Sequence, residues 1–300
     1  MKELLILIKR NTKLFFKDKA MFFTALITPG ILLVLYATFL GNIYRDSFEM
    51  AIPSVFSVSD KLFDAAVGGQ LISSILSVSC VTVAFCTNML SIADKATGRI
   101  KDFTISPVSP TRLALGYYVS AFISTITVSL ASTLICFGYI AITGWFLSFT
   151  DVLMILLDVF ILTLFGVALS SLISFFLSTQ GQISAIGTII SSCYGFICGA
   201  YMPISQFSEG LRNAVGVLPG TWGTSLLRTH ALRGVFLQME NEGIPTECTD
   251  AMRDMTDCNI YFLENRISEE FMIPALLLAS VLLILLFVLF HLIKIRKSTK

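Results

Sequence analysis

The chain has 300 residues, of which 55% are hydrophobic and 14% are charged, and its formal net charge is +1. Such an apolar composition is not that of an ordinary soluble domain. The two signs of charge almost cancel over the whole chain, and their distribution does not indicate nucleic-acid binding. The composition therefore favours a membrane protein.

Six apolar segments account for this composition, and they cover residues 21–40, 67–93, 113–143, 152–177, 183–202 and 271–293. A helix needs about 20 apolar residues to cross the core of a bilayer. We therefore expect an all-α polytopic membrane protein. An interfacial helix over residues 1–20 would precede a domain of six transmembrane helices over residues 21–300.

The charges predict the orientation of these helices. Six crossings place both tails and the loops at 94–112 and 178–182 on one side, which carries 14 of the 21 bases and four of the 20 acids. Lys and Arg stay in the cytoplasm during insertion, so both termini are predicted to be cytoplasmic in a protein of the plasma membrane. The basic side would face anionic lipid headgroups and a cytosolic partner.

Residues 1–19 have the pattern of an amphipathic helix. Its bases share one face, whereas Leu4, Leu7 and Phe15 share the opposite face. A basic helix with an apolar stripe lies in the membrane interface. It would anchor the chain there, support a cytosolic protein, or do both.

The second segment carries a stripe of small and weakly polar residues on one helix face. Its members are Ser73, Ser77, Cys80, Ala84 and Thr87. Small faces permit close helix contacts in lipid. The alternative is a water-lined path for substrate, in which Ser73, Ser77 and Thr87 would be pathway residues.

Residues 94–110 form the predicted cytoplasmic loop between segments two and three. Its first part is charged and compatible with a short helix, and Pro107 and Pro110 then end it. We therefore expect a short charged helix at the cytoplasmic rim, followed by a rigid turn.

Asp158 is the acid that lies well inside an apolar segment. A carboxylate there usually faces the bundle interior or water. It would contact a cationic substrate or form a gating hydrogen bond, and so belong to the pathway. Alternatively it is a buried polar link, or lies near the outer interface, because only about two helical turns separate it from Asp151.

Residues 203–270 form a long outer region. Residues 204–218 and 221–236 are semi-apolar and are separated by Pro219-Gly220, so we expect two short helices that dip into the outer leaflet. Residues 238–270 are polar and acidic and indicate an exposed cap. The cap contains Cys248 and Cys258, which would form a disulfide in an oxidising compartment or remain free thiols.

Three stretches occur in an order that is typical of one family. They are the basic helix that leads through Phe16-Lys17-Asp18-Lys19, then Gly98 with Ser106-Pro107-Val108-Ser109 and Leu113, then Gly199-Ala200-Tyr201-Met202-Pro203-Ile204 with Leu218-Pro219-Gly220, Leu227 and Arg228. In these stretches the chain resembles the membrane permease subunits of type-2 ATP-binding-cassette (ABC) exporters. It departs where that family usually has a glutamate before the glycine, since Asp94 and Lys95 stand here and Arg99 follows Gly98.

The resemblance implies a coupling helix within residues 94–110 and a re-entrant hairpin after helix five. It also implies contact with a cytosolic ABC ATPase subunit through Thr97, Gly98, Arg99, Ile100, Lys101, Asp102, Phe103 and Thr104. Two permease chains would pair, as a homodimer or as a heterodimer with a related permease. ATP and Mg would be bound by the partner ATPase, and this chain would hold no cofactor.

The function expected from this resemblance is export of an amphipathic drug, lipid or peptide, because the predicted spans are rich in Phe and Ser and lack Lys and Arg. No phosphate-binding Gly-x-x-x-x-Gly-Lys-Ser/Thr motif occurs, and no His/Cys/Asp cluster has the spacing of a metal site. His230 is expected in a solvated outer loop and His291 at the inner interface. The alternative function is an ion-coupled secondary transporter or channel, and a membrane enzyme is disfavoured.

Overall fold

The computed structural model describes residues 2–35, 38, 41–52, 58–105, 108–263 and 265–298, and most of them are helical. The helices are α1 (Lys2–Lys17), α2 (Lys19–Leu35), α3 (Gly41–Ala51), α4 (Asp60–Ala96), α5 (Ile100–Ile105), α6 (Pro110–Thr143), α7 (Phe149–Phe176), α8 (Gln180–Ile197), α9 (Glu209–Gly216), α10 (Pro219–Asn241), α11 (Thr246–Met255) and α12 (Glu269–Ser298). Strands β1 (Ile260–Phe262) and β2 (Asn265–Ile267) form an antiparallel hairpin, which the all-α prediction missed.

Within the described part of the chain, four helices are long and apolar enough to cross a bilayer. They are α4, α6, α7 and the 269–293 part of α12, and they correspond to predicted segments two, three, four and six. Segments one and five correspond to α2 and α8, which have 17 and 18 residues. The six-span arrangement therefore stays a prediction for these two, and the end of segment one at residues 39 and 40 lies outside the described residues.

Helix α4 is the central element, because it packs against α2, α6, α7, α8 and α10. Small residues permit these close contacts. A Cβ on Gly166 of α7 would lie 2.9 Å from the carbonyl oxygen of Cys80 in α4, closer than packed atoms approach. Glycine at this position therefore lets α7 lie directly against the α4 backbone.

Helix α1 confirms the amphipathic pattern at the N-terminus. It buries Leu7, Asn11 and Phe15 and packs mainly on α6. A Cβ on Gly116 of α6 would lie 3.2 Å from the Cβ of Leu7, so α1 lies close to the α6 backbone. Leu5 and Ile6 remain largely exposed, at 65% and 67%.

The outer segment after α2 is more ordered than the predicted loop. Helix α3 buries Tyr44 and Phe48, and α4 begins at Asp60 rather than at Val67. Arg45 of α3 is paired with Glu49 of the same helix and with Asp64 in the first turns of α4. These contacts fix α3 against the outer end of α4.

Two helices occur here, but Pro219 begins the second of them instead of lying between the two. A proline in the first helical turn needs no backbone N–H, and its fixed φ suits that position. Helix α10 therefore runs from Pro219 to Asn241, past the predicted end at Phe236, and lies between α4, α7 and α12. The shorter α9 precedes it, and α11 and the hairpin complete the outer region.

Candidate functional site

The predicted coupling loop contains a short helix, but its borders differ from the prediction. Helix α4 continues through Ala96, so Asp94 and Lys95 belong to its last turn rather than to the loop. Gly98 then adopts a φ of +76°, a left-handed conformation that favours glycine. Helix α5 follows over Ile100–Ile105 and contains the predicted contact residues 100–104, whereas 97–99 form the turn. Pro107, which was predicted to end this helix, lies outside the described residues.

Asp94 is the centre of a polar cluster at the end of the bundle that was predicted to be cytoplasmic. Its side chain is fully buried, and its Oδ2 accepts hydrogen bonds from Arg10 Nη1 at 2.7 Å and from the Tyr117 hydroxyl at 2.7 Å. Arg99 Nη1 lies 3.7 Å from Oδ1. One carboxylate therefore ties the last turn of α4 to α1, α6 and the turn before α5.

Helix α5 is attached to the same cluster. The guanidinium of Arg10 lies 5.1 Å from the centre of the Phe103 ring, a distance suited to a cation–π contact. Ile100 and Phe103 also pack against an apolar cluster that Leu7 of α1 forms with Leu113 and Tyr117 of α6. A displacement of α5 therefore acts directly on α1 and α6, and it reaches α4 through the ion pair of Arg10 with Asp94.

The electrostatics of Arg10 favour a permanent ion pair. Burial lowers the pKa of Arg10, but its hydrogen bond to Asp94 and the attraction of that carboxylate outweigh this effect and raise the pKa above its usual value. Removing one partner of a buried pair leaves the other charge uncompensated, at a cost of about 3–5 kcal/mol. Because Arg10 is 29% exposed, the cost here lies at or below the lower end of that range.

Lys95, the neighbour of Asp94 in α4, caps the C-terminal end of α7. Its Nζ donates to the carbonyl oxygens of Ser174 at 2.7 Å, Phe175 at 3.0 Å and Leu177 at 3.3 Å. These carbonyls end α7, where a cation satisfies unpaired acceptors and complements the helix dipole. The last turn of α4 thus connects α5 with α7 as well.

A second polar cluster lies toward the opposite end of the bundle, which was predicted to face outward, around Arg228 of α10. Arg228 is 1% exposed; its Nη1 lies 3.0 Å from Asp257 Oδ2, and its Nη2 donates to the Gly199 carbonyl oxygen at 2.6 Å and to Ser74 Oγ at 3.2 Å. Asp257 also accepts from the backbone N–H of Ile204 at 2.6 Å. The cluster joins the cap, the exit of α8, α10 and α4.

Residues 2–231 match the family described as ABC-2 type transporter. The chain belongs to this family. It is therefore a permease component of an ABC transporter, a multi-pass membrane protein that is not itself the ATPase, and membership implies an ABC ATPase as its partner. Comparisons with curated proteins and with solved structures give no match.

In this ABC-2 permease the predicted pathway residues of α4 are buried inside the single chain. Ser77 Oγ lies 2.5 Å from Thr224 Oγ1 of α10, and Thr87 Oγ1 lies 2.9 Å from Thr125 Oγ1 of α6. Ser73 Oγ donates to the carbonyl oxygen of Gln70 in its own helix. These contacts favour the close-packing alternative for the stripe over a water-lined path within one chain.

Asp158 lies in a buried pair, and its partner corrects one expectation. His230 was expected in a solvated loop, but it is 1% exposed, and its Nδ1 lies 2.5 Å from Asp158 Oδ2. Glu269 Oε2 is 3.9 Å from His230 Nε2. Within the described residues no group of three or more His, Cys, Asp or Glu side chains is arranged to hold a metal ion. The pair links α7 to α10, which sequence spacing alone does not reveal.

Both outer cysteines are free thiols in the structure, which therefore gives no support to the disulfide between Cys248 and Cys258. Cys258 is buried, with its Sγ 3.3 Å from Thr256 Oγ1. Cys248 is half-buried on α11. The cap is also less exposed than predicted, because Asp257 and Cys258 lie in its interior.

Proposed function

We propose that the chain is the permease subunit of an ABC exporter, which moves an amphipathic drug, lipid or peptide outward with ATP hydrolysed by a separate ATPase subunit. The observation that carries this proposal is the Asp94 cluster. One buried carboxylate of α4 contacts α1, α6 and the turn before the six-residue helix α5, and α5 itself rests on Arg10 through Phe103. That arrangement suits the transfer of movement from a docked protein to membrane helices.

Coupling then proceeds in mechanical steps. ATP binding closes two ATPase subunits, and each subunit displaces the α5 helix on which it rests. Phe103 and Arg10 pass the displacement to α1 and to Asp94, and Lys95 passes it to the end of α7. Because the cluster is buried and charged, it resists deformation more than a solvated loop does.

The positions of the outer contacts support a re-entrant α10. Ser77 lies 18 residues before Lys95 in α4, which at 1.5 Å per residue is about 27 Å from the cytoplasmic end and close to the full depth of a bilayer core. Thr224 contacts Ser77, whereas Arg228 contacts Ser74, so α10 runs antiparallel to α4. Pro219 would then lie inside the outer leaflet, and α10 would run outward from it.

The location of the two basic ends of the chain supports cytoplasmic termini. The basic α1 and the basic end of α12 both lie at the end of the bundle that carries Asp94.

Since the small-residue stripe of α4 packs within one chain, we place the substrate passage between two chains, in a homodimer or with a related permease. Spans without Lys or Arg favour an amphipathic cargo over a polyanion.

One observation favours a second candidate function, an ion-coupled transporter. Asp158 and His230 form a buried titratable pair between α7 and α10, and such pairs occur in proton-coupled carriers. This candidate requires transport to follow an ion gradient without an ATPase.

Reconstitution separates the two candidates. The permease is placed in liposomes with and without its cognate ATPase, and uptake of a fluorescent amphipathic dye into inside-out vesicles is followed after addition of ATP or of a proton gradient. The exporter proposal predicts uptake that needs both the ATPase and hydrolysable ATP. Uptake by the permease alone, driven by the proton gradient, would instead establish the second candidate.

A further inference from the structure

A groove of about 640 Å³ lies on the outer face between α10, the β-hairpin and the first turn of α12. Its apolar lining includes Val217, Trp222, Leu263 and Phe271, and Arg266 is its charged residue. Leu263 is 62% exposed and Phe271 is 55% exposed. The groove therefore presents apolar surface that the described residues leave uncovered.

The height of this groove relative to the membrane follows from the helix contacts. At the cytoplasmic end, the His291 ring of α12 lies 4.7 Å from the Phe175 ring of α7, at the level where Lys95 binds. Phe271 lies 20 residues before His291, which is about 30 Å along α12 and equals the thickness of a hydrocarbon core. Phe271 and Trp222, whose rings are 5.8 Å apart, thus lie at the outer boundary between acyl chains and headgroups.

The groove continues into a lipid-facing surface. Phe271, Leu278, Leu285 and Leu292 recur every seven residues along α12, so they share one helix face. Their exposed fractions are 55%, 60%, 60% and 43%. Only 17% of the apolar window of α12 is buried, and such a face on a membrane-spanning helix is covered by acyl chains.

Arg266 supplies the polar end of the same surface. It lies on β2, opposite Tyr261 of β1, and among the described residues it has no carboxylate partner. A guanidinium suits the phosphate of a lipid headgroup, which it can bind through two parallel hydrogen bonds. Trp222 Nε1 already donates to the Gly216 carbonyl oxygen, so its ring contributes apolar contact only.

We propose that this groove binds one phospholipid of the outer leaflet, with its phosphate at Arg266 and an acyl chain along the Phe271–Leu292 face of α12. The bound lipid fastens the β-hairpin to the membrane beside α10. This inference needs only that the chain spans a membrane, and it is independent of what is transported and in which direction.

Tryptophan quenching tests the proposal in the full-length protein. The chain has two tryptophans, and Trp145→Phe leaves Trp222 as the single reporter. The protein is reconstituted into nanodiscs of phosphatidylcholine whose acyl chains carry bromine, which quenches tryptophan on contact. Val217→Phe fills the groove, and Leu211→Phe on α9, outside the groove, is the matched control.

The proposal predicts strong quenching of Trp222, weakened about threefold by Val217→Phe because the filled groove excludes the acyl chain, and unchanged by Leu211→Phe. Arg266→Gln weakens the quenching in the same direction, because the headgroup loses its partner. Trp222 emission that brominated lipid leaves unchanged would overturn the proposal. Quenching seen only in nanodiscs that hold a single copy of the protein would also overturn the proposal. It would show that, where two copies are present, the second copy and not a lipid covers the groove.

Discussion

Arg10 and Asp94 are 84 residues apart in the chain, yet Arg10 Nη1 and Asp94 Oδ2 lie 2.7 Å apart in an ion pair that is buried at its acidic end. The pair joins the interfacial helix to the last turn of the central membrane helix. Because Phe103 of α5 stacks on the same guanidinium, α5 also rests on this pair.

The ion pair can be measured by a double-mutant cycle. Asp94→Asn should lower the free energy of unfolding by about 2–3 kcal/mol, because it leaves the guanidinium of Arg10 without a countercharge. Arg10→Met should have a similar effect, and the double variant should lose less than the sum of the two. Thermal unfolding in detergent provides the measurement. Additive losses would show that the two side chains do not interact.

Lys95 should stabilise the C-terminal end of α7. Lys95→Met removes a charged donor from three carbonyl oxygens and should cost about 1–3 kcal/mol. Lys9→Met, at an exposed position on α1, is the control and should change stability by less than about 0.5 kcal/mol. Hydrogen exchange of residues 172–177 reports the effect locally. Equal exchange in both variants would contradict the capping role.

Much of this architecture could be predicted because it depends on local patterns. Apolar run length gave four of the spans, amphipathic spacing gave α1, and the charged run before Pro107 and Pro110 gave the position of α5. Three buried ion pairs could not be predicted, because their members are at least 29 positions apart in the chain. They are the pairs Arg10–Asp94, Asp158–His230 and Arg228–Asp257. Such pairs depend on which helix faces meet, and residue spacing within one helix carries no information about that.

The β-hairpin and the buried interior of the cap were missed for a related reason. The strands have three residues each, too short for an alternating pattern to stand out. His230 was misplaced because the sequence shows a semi-apolar segment here but not that the helix is buried, with its polar groups facing α4 and α7.

The outer cluster should hold the cap in place. Asp257→Asn keeps an acceptor for the Ile204 backbone N–H and tolerates the left-handed φ of 56°, but it removes the charge that faces Arg228. We expect labelling of Cys258 by an external maleimide to rise about tenfold or more as the cap loosens. Asp250→Asn, at an exposed position on α11, is the matched control and should leave labelling unchanged. Labelling equal in both variants would remove the anchoring role from this pair.

The two outer cysteines should react differently. Burial raises the pKa of Cys258 to about 11, so at pH 7.5 fewer than about one in a thousand of its thiols are ionised. Its reaction with iodoacetamide should be slow and should accelerate as the pH rises, because the thiolate is the reactive form. Mass spectrometry without reductant should find Cys248 alkylated first. If neither cysteine reacts until a reductant is added, the two are bridged after all.

The central claim is that a docked ATPase displaces α5 and that the Asp94 cluster transmits this displacement to the membrane helices. Its most direct test is the number of substrate molecules moved per ATP hydrolysed by the reconstituted permease–ATPase complex. We expect Phe103→Ala to lower this ratio about tenfold, because the variant removes the link between α5 and Arg10. ATP hydrolysis and copurification of the ATPase should stay within about twofold of the unaltered complex, because the variant leaves the ATPase intact. An unchanged ratio in this variant, or full transport by the permease without any ATPase, would contradict the account.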